Sequence, residues 1–361
     1  MGNGGKYDLC AFCPELCMDR CVVATVTGAN SASPRSKMTL AWMLEKGLVK
    51  PDRELAEALY LCTGCLACSE ACKFHVDVED GLREARANLV QAGVTPFPRE
   101  LFEGDTDRLV QAQSALIPKE MFVPEAQAVL FPGCHALLDR GGAGVTDLLA
   151  VFRNLGIEFV GASRDAAQCC GYPLWAAGYV SEFARQARRV SALLRRYRMV
   201  VVASPCCAHT MRNLYPLVGV TEGPRVTLAL DLVAPLVMRR DARPLEMNLA
   251  WHDSCFLGRH LGQYDAPRAL IAHANGRPPV ELQRHGSDAP CCGAGGVLDR
   301  THKEVAAAAA RRLGDQAAGA GAKALVVAGA PCVGHLAASG VEVLDMMGLL
   351  RRYLEGQGTL G

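Results

Sequence analysis

Seventeen cysteines stand in four packets along a chain of 361 residues. Cys10, Cys13, Cys17 and Cys21 follow the spacing C-x-x-C-x-x-x-C-x-x-x-C, and Cys62, Cys65, Cys68 and Cys72 follow C-x-x-C-x-x-C-x-x-x-C. Four thiolates so close in sequence converge on one small object, because a tight loop aims successive side chains inward and the next helix supplies the last. Zinc ribbons place a longer spacer between two C-x-x-C pairs, whereas four closely run cysteines, present twice, match the ligation of [4Fe–4S] clusters. Two such clusters are the expected cofactors, bound by these eight cysteines. Thr63, Gly64 and nearby backbone N–H groups are expected to donate to cluster sulfur, a protein lever on cluster potential. His75 reads as a surface residue or an outer hydrogen-bonding partner.

In two-cluster ferredoxins the fourth cysteine of each run closes the other run's cluster. That rule sends Cys21 to the cluster of Cys62, Cys65 and Cys68, and Cys72 to that of Cys10, Cys13 and Cys17. The first run has one residue more between its second and third cysteines, and Val22 and Lys73 stand where the ferredoxin pattern has proline. Closure of each cluster within its own run is therefore the alternative.

The remaining cysteines form an internal repeat. Cys134, Cys169-Cys170 and Cys206 are answered by Cys255, Cys291-Cys292 and Cys332, at offsets of 121, 122 and 126 residues. A near-constant period implies a duplicated domain of about 120 residues, an ordinary domain size. The expected division is 1–123, 124–243 and 244–361, with boundaries near Pro124 and Arg243-Pro244. In each copy, short apolar runs end just before a cysteine: Ala128–Phe131, Val200–Ala203, Leu249–Trp251 and Ala324–Ala328. Such runs read as buried parallel strands. Helical spacing lies between them, as at Tyr179–Tyr197 and Lys303–Leu313, so each copy should be an α/β domain with its cysteines at the carboxyl ends of strands, where such sheets bind ligands. The first third is poor in strand-like runs and has helical spacing at Lys37–Glu45, Arg53–Leu61 and Val78–Ala92. The fold class is α+β and multi-domain: an α-helical double-cluster domain followed by two duplicated α/β cysteine-rich domains.

Composition narrows the setting. Thirty-eight Lys and Arg against 37 Asp and Glu argue against nucleic-acid binding. The longest apolar run, near Val226–Met238, is broken by Asp231 and Pro235, so no transmembrane segment is expected. No apolar leader follows the N-terminus, and clustered thiols suit a reducing compartment, so metal binding is preferred over disulfides. The expected location is cytoplasmic, with peripheral membrane association through a partner as a variant. Arg185, Arg188, Arg189, Arg195 and Arg196 read as a solvated helix face rather than a docking site for an acidic partner.

The elements F-P-G-Cys134, Cys169-Cys170-Gly, H-D-S-Cys255-F-L-G-R-H and Cys291-Cys292-G-A-G-G resemble the paired cysteine-rich (CCG) domains of heterodisulfide reductase-like iron–sulfur subunits. Similar subunits serve glycerol-3-phosphate dehydrogenase, glycolate oxidase and lactate utilisation. With the double ferredoxin-type packet, the resemblance covers nearly the whole chain. It implies metal centres at Cys134, Cys169, Cys170 and Cys206 and at Cys255, Cys291, Cys292 and Cys332, holding a noncubane iron–sulfur cluster or zinc. The family motif closes on C-x-x-C, whereas this chain places His209 and His335 where the closing cysteine would stand. Imidazole is a good ligand for iron and zinc, so these histidines either replace a thiolate or serve as hydrogen-bonding or helix-capping residues. Cys207, without an equivalent beside Cys332, is expected to be a packed thiol rather than a ligand. Gly171, Gly293, Gly295 and Gly296 are expected to let backbone approach the metal. His135, His252, Asp253, Arg259 and His260 are expected to hydrogen-bond the ligands without ligating.

The resemblance implies an electron-transfer subunit of an oxidoreductase complex, not catalytic alone. Its expected partner is a flavoprotein dehydrogenase or electron-transfer flavoprotein, and a membrane cytochrome or other quinone-linked protein is a further one. Flavins exchange two electrons and clusters one, so such a subunit joins the two kinds of chemistry. Two alternatives stay open: a catalytic thiol/disulfide reductase at the repeated site, or a scaffold with structural zinc in the repeats and redox clusters only at the N-terminus.

Overall fold

The computed structural model describes residues 4–123 and 126–356; Pro124, one expected boundary, lies outside the described residues. The N-terminal part is helical, as its sequence spacing predicts, and built on Pro34–Glu45, Arg53–Tyr60, Val78–Gln91 and Thr106–Leu116. Each of these starts at a side-chain cap: Ser33, Asp52, Asp77 or Asp105 accepts a backbone N–H of the first turn. Arg53–Tyr60 and Val78–Gln91 bury Leu55, Leu59, Leu82, Ala85 and Leu89 against Met38 and Ala41 of the first, an apolar stripe at helical spacing.

Two four-stranded parallel sheets follow. The first contains β1 (Ala128–Phe131), β2 (Val160–Gly161), β3 (Met199–Val202) and β4 (Arg225–Leu228) in the order β2-β1-β3-β4. The second contains β5 (Leu249–His252), β6 (Val280–Glu281), β7 (Ala324–Val327) and β8 (Glu342–Asp345) in the order β6-β5-β7-β8. The order is the same in both copies, and the register pairs Phe131 with Val202 and His252 with Val327 at the carboxyl ends of the central strands. The chain leaves the two central strands toward opposite edges, so the crevice beyond their carboxyl ends is a topological switch point, the usual ligand position in such sheets. Cys134 and Cys206 follow β1 and β3; Cys255 and Cys332 follow β5 and β7.

The run Val226–Met238 divides into most of β4 and the helix Ala229–Val237, which carries Pro235 in its interior. No helix among the described residues is long and apolar enough to cross a membrane. The five arginines at 185, 188, 189, 195 and 196 are exposed; Arg185 pairs with Glu182 and Arg196 with Asp165.

The two repeats pack face to face, helix Ala143–Leu155 of the first lying on helix Met346–Leu354 of the second. Arg351 and Asp147 pair across this contact at 3.0 Å, and Arg140 donates to the Val343 carbonyl at 3.1 Å. The helical domain covers both repeats on the cysteine side. Buried Arg86 donates to the Leu59 carbonyl of its own domain and, at 2.6 Å, to the Ala176 carbonyl of the first repeat, while the Tyr60 hydroxyl donates to the Ala177 carbonyl.

Candidate metal centres

All seventeen cysteines are free thiols. The two N-terminal runs interleave. Burial pushes the Cys10 thiol up to about 12, helped by the sulfurs of Cys17, Cys72 and Cys13. Cys17 rises to about 11 for the same reason, with Cys13 and Cys72 adding to it. Cys62 and Cys68 are raised by burial, and both feel the sulfur of Cys21. The last cysteine of each run thus lies among the sulfurs of the other. Packed thiols that resist ionisation alone become good ligands once a cation shares their charge.

Donors surround the second group. The Gly64 N–H points at Cys62 Sγ at 3.4 Å, and the Thr63 hydroxyl bonds Cys65 Sγ. Lys37 is buried, donates to the Leu61 carbonyl at 2.5 Å and pulls the Cys62 thiol downward. Spacing alone did not single out Lys37; a lysine on the apolar stripe of a helix next to a cysteine run was the available signal. His75 is exposed and outside the sulfur group.

In the first repeat, thiol–thiol hydrogen bonds link Cys134 to Cys169, Cys169 to Cys170, and Cys170 to both Cys206 and Cys207. The Gly171 N–H meets Cys169 Sγ at 3.4 Å. These cysteines line a cavity of about 40 Å³ closed on its far side by Gly295, Val297 and Arg300 of the second repeat. Cys207, a buried thiol within the hydrophobic core as expected, also borders this cavity, because the helix Pro205–His209 starts at Pro205 and turns both adjacent cysteines toward the crevice. His209 is buried, its Nδ1 has no hydrogen-bond partner, and its ring lies 4.5 Å from that of His260. Burial pulls His209 down to about 4. His135 is held by Asp139 at 2.9 Å; burial lowers its pKa, but Asp139 and Cys134 outweigh that and raise it to about 9.

In the second repeat, Cys291 bonds Cys255 and Cys292, and Cys292 Sγ lies 3.1 Å from Cys332 Sγ. The Gly293 N–H meets Cys291 Sγ at 3.4 Å. His335 turns its Nε2 to the Ala306 carbonyl at 3.0 Å. His252 instead, at the carboxyl end of β5, has a ring nitrogen within 4.8 Å of the sulfurs of Cys292 and Cys332. Asp253 faces away, holding Trp251 Nε1, the Gly286 N–H and the guanidinium of Arg268. A cavity of about 20 Å³ lined by Cys206, Cys255, Cys292 and Cys332 lies between the two repeats.

The N-terminal group and the second repeat meet directly. The thiols of Cys65 and Cys291 are hydrogen-bonded, which together with burial holds Cys65 well above the usual thiol range. Arg259 donates to the Cys65 carbonyl and, from another nitrogen, to the Ser287 and Ala289 carbonyls; His260 Nε2 meets the Gly64 carbonyl at 2.9 Å. Arg259 and His260 thus hold the N-terminal cysteine loop, in addition to lying near the repeat's own cysteines. Arg259 remains charged despite burial because the sulfurs of Cys65, Cys255 and Cys291 surround it. Gly295 and Gly296 serve the same contact: a Cβ on either would lie 2.3 Å from a backbone oxygen, Thr63 O or Cys62 O. Their small size admits the neighbouring domain's backbone.

Comparison with known proteins places these features. The "Cysteine-rich domain" (CCG) family model matches residues 128–212 and 249–337, and the "4Fe-4S dicluster domain" model matches residues 6–76. One subunit of the dihydromethanophenazine:CoB–CoM heterodisulfide reductase of Methanosarcina barkeri is 25% identical over 341 residues, covering 84% of this chain and 81% of that protein. One subunit of the fumarate reductase (CoM/CoB) of Methanothermobacter marburgensis is 28% identical, covering 69% of this chain and 51% of its own length. The EtfAB:quinone oxidoreductase of Syntrophomonas wolfei is 28% identical, covering 67% of this chain and 37% of its own length. The chain thus carries a 4Fe–4S dicluster domain followed by two CCG cysteine-rich domains, and its homologues are heterodisulfide reductase subunits and related iron–sulfur proteins.

Proposed function

We propose that this iron–sulfur protein is the electron-transfer subunit of an oxidoreductase complex, relaying single electrons between a flavoprotein or quinone-linked partner and metal centres in its two CCG domains. Two [4Fe–4S] clusters would be held by Cys10, Cys13, Cys17 and Cys72 and by Cys62, Cys65, Cys68 and Cys21, and would supply one-electron exchange. The sulfurs fit such groups: neither N-terminal set is gathered tightly enough for a single ion, the one set of three or more ligand atoms within 4.8 Å among the described residues lying elsewhere.

The observation that carries the reading is the Cys65–Cys291 contact. It joins an N-terminal sulfur group to a repeat across a domain boundary that residues serving only structure would not need to bridge with thiols. Arg259 beside Cys65, Cys255 and Cys291 supplies fixed positive charge at that junction, and positive charge near a cluster favours its reduced form.

The other N-terminal group lies toward the surface. Leu9, Phe12, Leu16 and Phe74 flank Cys10, Cys13, Cys17 and Cys72 in sequence and are 46%, 80%, 60% and 68% exposed. Exposed apolar residues gathered in this way suit a protein interface, so the partner docks here. A relative carries the name EtfAB:quinone oxidoreductase, which supports a flavoprotein or quinone-linked partner.

Anaerobically purified full-length chain should contain acid-labile sulfide and about eight irons attributable to the N-terminal domain. Cys21→Ser should alter the EPR signal of the cluster on Cys62, Cys65 and Cys68, and Cys72→Ser that of the other. Zinc without sulfide would overturn the electron-transfer reading, and each variant altering only its own run's cluster would overturn the crossed ligand sets.

A further inference from the structure

The residue that closes β5 is not what its position asks for. β5 reads Leu-Ala-Trp-His, all four residues buried, and its partner in the first repeat, β1, reads Ala-Val-Leu-Phe, also buried throughout. His252 therefore occupies the place of Phe131, 121 residues earlier. Phe131 needs no polar partner there. His252 is 1% exposed, and neither Nδ1 nor Nε2 has a hydrogen-bond partner. A neutral imidazole carries one N–H and one lone pair, and a buried polar group left unpaired costs about 1–3 kcal/mol. A histidine that only filled space would be worse here than the phenylalanine of the sister repeat.

A ring nitrogen of this imidazole lies within 4.8 Å of Cys292 Sγ and Cys332 Sγ, and the three form the one such set among the described residues. We infer that His252 is a metal ligand, and that His252, Cys292 and Cys332 bind a single divalent thiophilic ion, zinc or iron(II), in the second repeat. Two thiolates and one imidazole suit either metal. Binding pairs the orphaned nitrogen and the two close sulfurs together, which accounts for a histidine replacing phenylalanine at the strand end. His335, whose Nε2 is engaged by Ala306, is then a neighbour and not the nitrogen donor. The cavity of about 20 Å³ beside Cys255, Cys292 and Cys332 is large enough for one water, which can complete a four-coordinate ion.

The first repeat has no histidine at the strand end; its buried His209, with an unpartnered Nδ1, stands on the helix Pro205–His209 after β3. That repeat has Cys207 within the sulfur group, where the second repeat has Val333. Cys207 and His252 thus stand on opposite sides of the crevice in their respective copies.

This inference rests on the reading that the second repeat binds metal, and the test separates the two. The full-length chain, purified anaerobically and loaded with zinc, is compared with His252→Phe and Cys332→Ala by metal analysis and zinc-edge X-ray absorption, which does not see the iron of the N-terminal clusters. His252→Phe restores the sister repeat's own residue, so the fold should survive; the visible spectrum of the N-terminal clusters and the thermal midpoint report on that, and His252→Ala replaces it if the larger ring unfolds the chain. The expected result is an imidazole contribution in the native chain, lost in His252→Phe, with about one zinc per chain lost in both variants. A metal lost in Cys332→Ala but kept, without spectral change, in His252→Phe would overturn the assignment of His252 while leaving a metal in the repeat. Zinc kept in both, with unchanged spectra, would overturn the three-ligand site, and no zinc bound by the native chain would overturn the metal reading of the repeat as well. Anaerobic preparation without added zinc, followed by iron and zinc counts per chain, tells which ion the native site takes.

Discussion

Gly296→Ala tests the junction between the N-terminal cysteine loop and the second repeat. Gly296 has φ +58, and a Cβ there would lie 2.3 Å from Cys62 O, 2.5 Å from the Thr63 carbonyl carbon and 2.8 Å from the Gly64 nitrogen. All three are backbone atoms of the cysteine loop, so no side chain can rotate away. Two costs add. The left-handed conformation costs an L-residue roughly 1–2 kcal/mol, and forcing a methyl into a packed contact costs about 1–3 kcal/mol more. Gly156→Ala isolates the first cost: Gly156 has φ +70 and nothing within 4 Å of its would-be Cβ. Denaturant titration of the full chain should show Gly156→Ala losing about 1–2 kcal/mol and Gly296→Ala a further 1–3. Because the wedge falls between domains, hydrogen exchange should quicken at Cys62–Cys65 in Gly296→Ala and not in Gly156→Ala. Equal losses in the two variants, with unchanged exchange in the loop, would refute a tight junction.

Arg86→Ala should destabilise the chain by roughly 3 kcal/mol, since it strands the buried Leu59 and Ala176 carbonyls that Arg86 now serves; a loss below 1 kcal/mol in denaturant titration would show that these bonds hold nothing together. Asp345 is raised to about 7, chiefly by burial and secondarily by Asp147. The folded carboxyl holds its proton more tightly than the unfolded one, so this group's contribution to stability is fullest below about pH 4 and is lost as pH rises toward 7. Asp345→Asn should flatten the fall in stability between about pH 4 and pH 7, and identical slopes in the two proteins would argue against it.

The elements legible in the sequence are those buried on both faces. The central strands β1, β3, β5 and β7 are continuous apolar runs, and the repeat of cysteines behind them marks the sheets' carboxyl ends. The outer strands leave no such trace: β2 and β6 are two residues long, β6 is Val-Glu, β4 opens on exposed Arg225 and β8 on exposed Glu342. An edge strand meets water on one side, so nothing in its composition separates it from a loop. The cysteines of the site were legible because metal chemistry constrains spacing. His252 was read only as a hydrogen-bonding neighbour of the ligands, since a polar residue ending a strand is common and the comparison with Phe131 is what shows it to be out of place. Arg259 was visible as a neighbour of Cys255, but its bond to the Cys65 carbonyl spans 194 residues and depends on how the domains pack.

That packing also divides the labour between the two copies. The helical domain meets the first repeat through Arg86 and Tyr60, which serve the Ala176 and Ala177 carbonyls, and through Gly104, which packs against Cys169. It meets the second repeat through the cysteine loop itself: Cys65 against Cys291, Arg259 and His260 on the loop's carbonyls, Gly295 and Gly296 under its backbone. Each repeat thus presents a cysteine to the helical domain, Cys169 beside Gly104 and Cys291 against Cys65, and the second does so sulfur to sulfur. Under the proposed electron relay the Cys65–Cys291 contact makes the second repeat the direct link to the N-terminal domain, a role that iron at the His252 site would serve and redox-inert zinc would not. The cysteines of the two repeats face each other across the cavity lined by Cys206, Cys255 and Cys332.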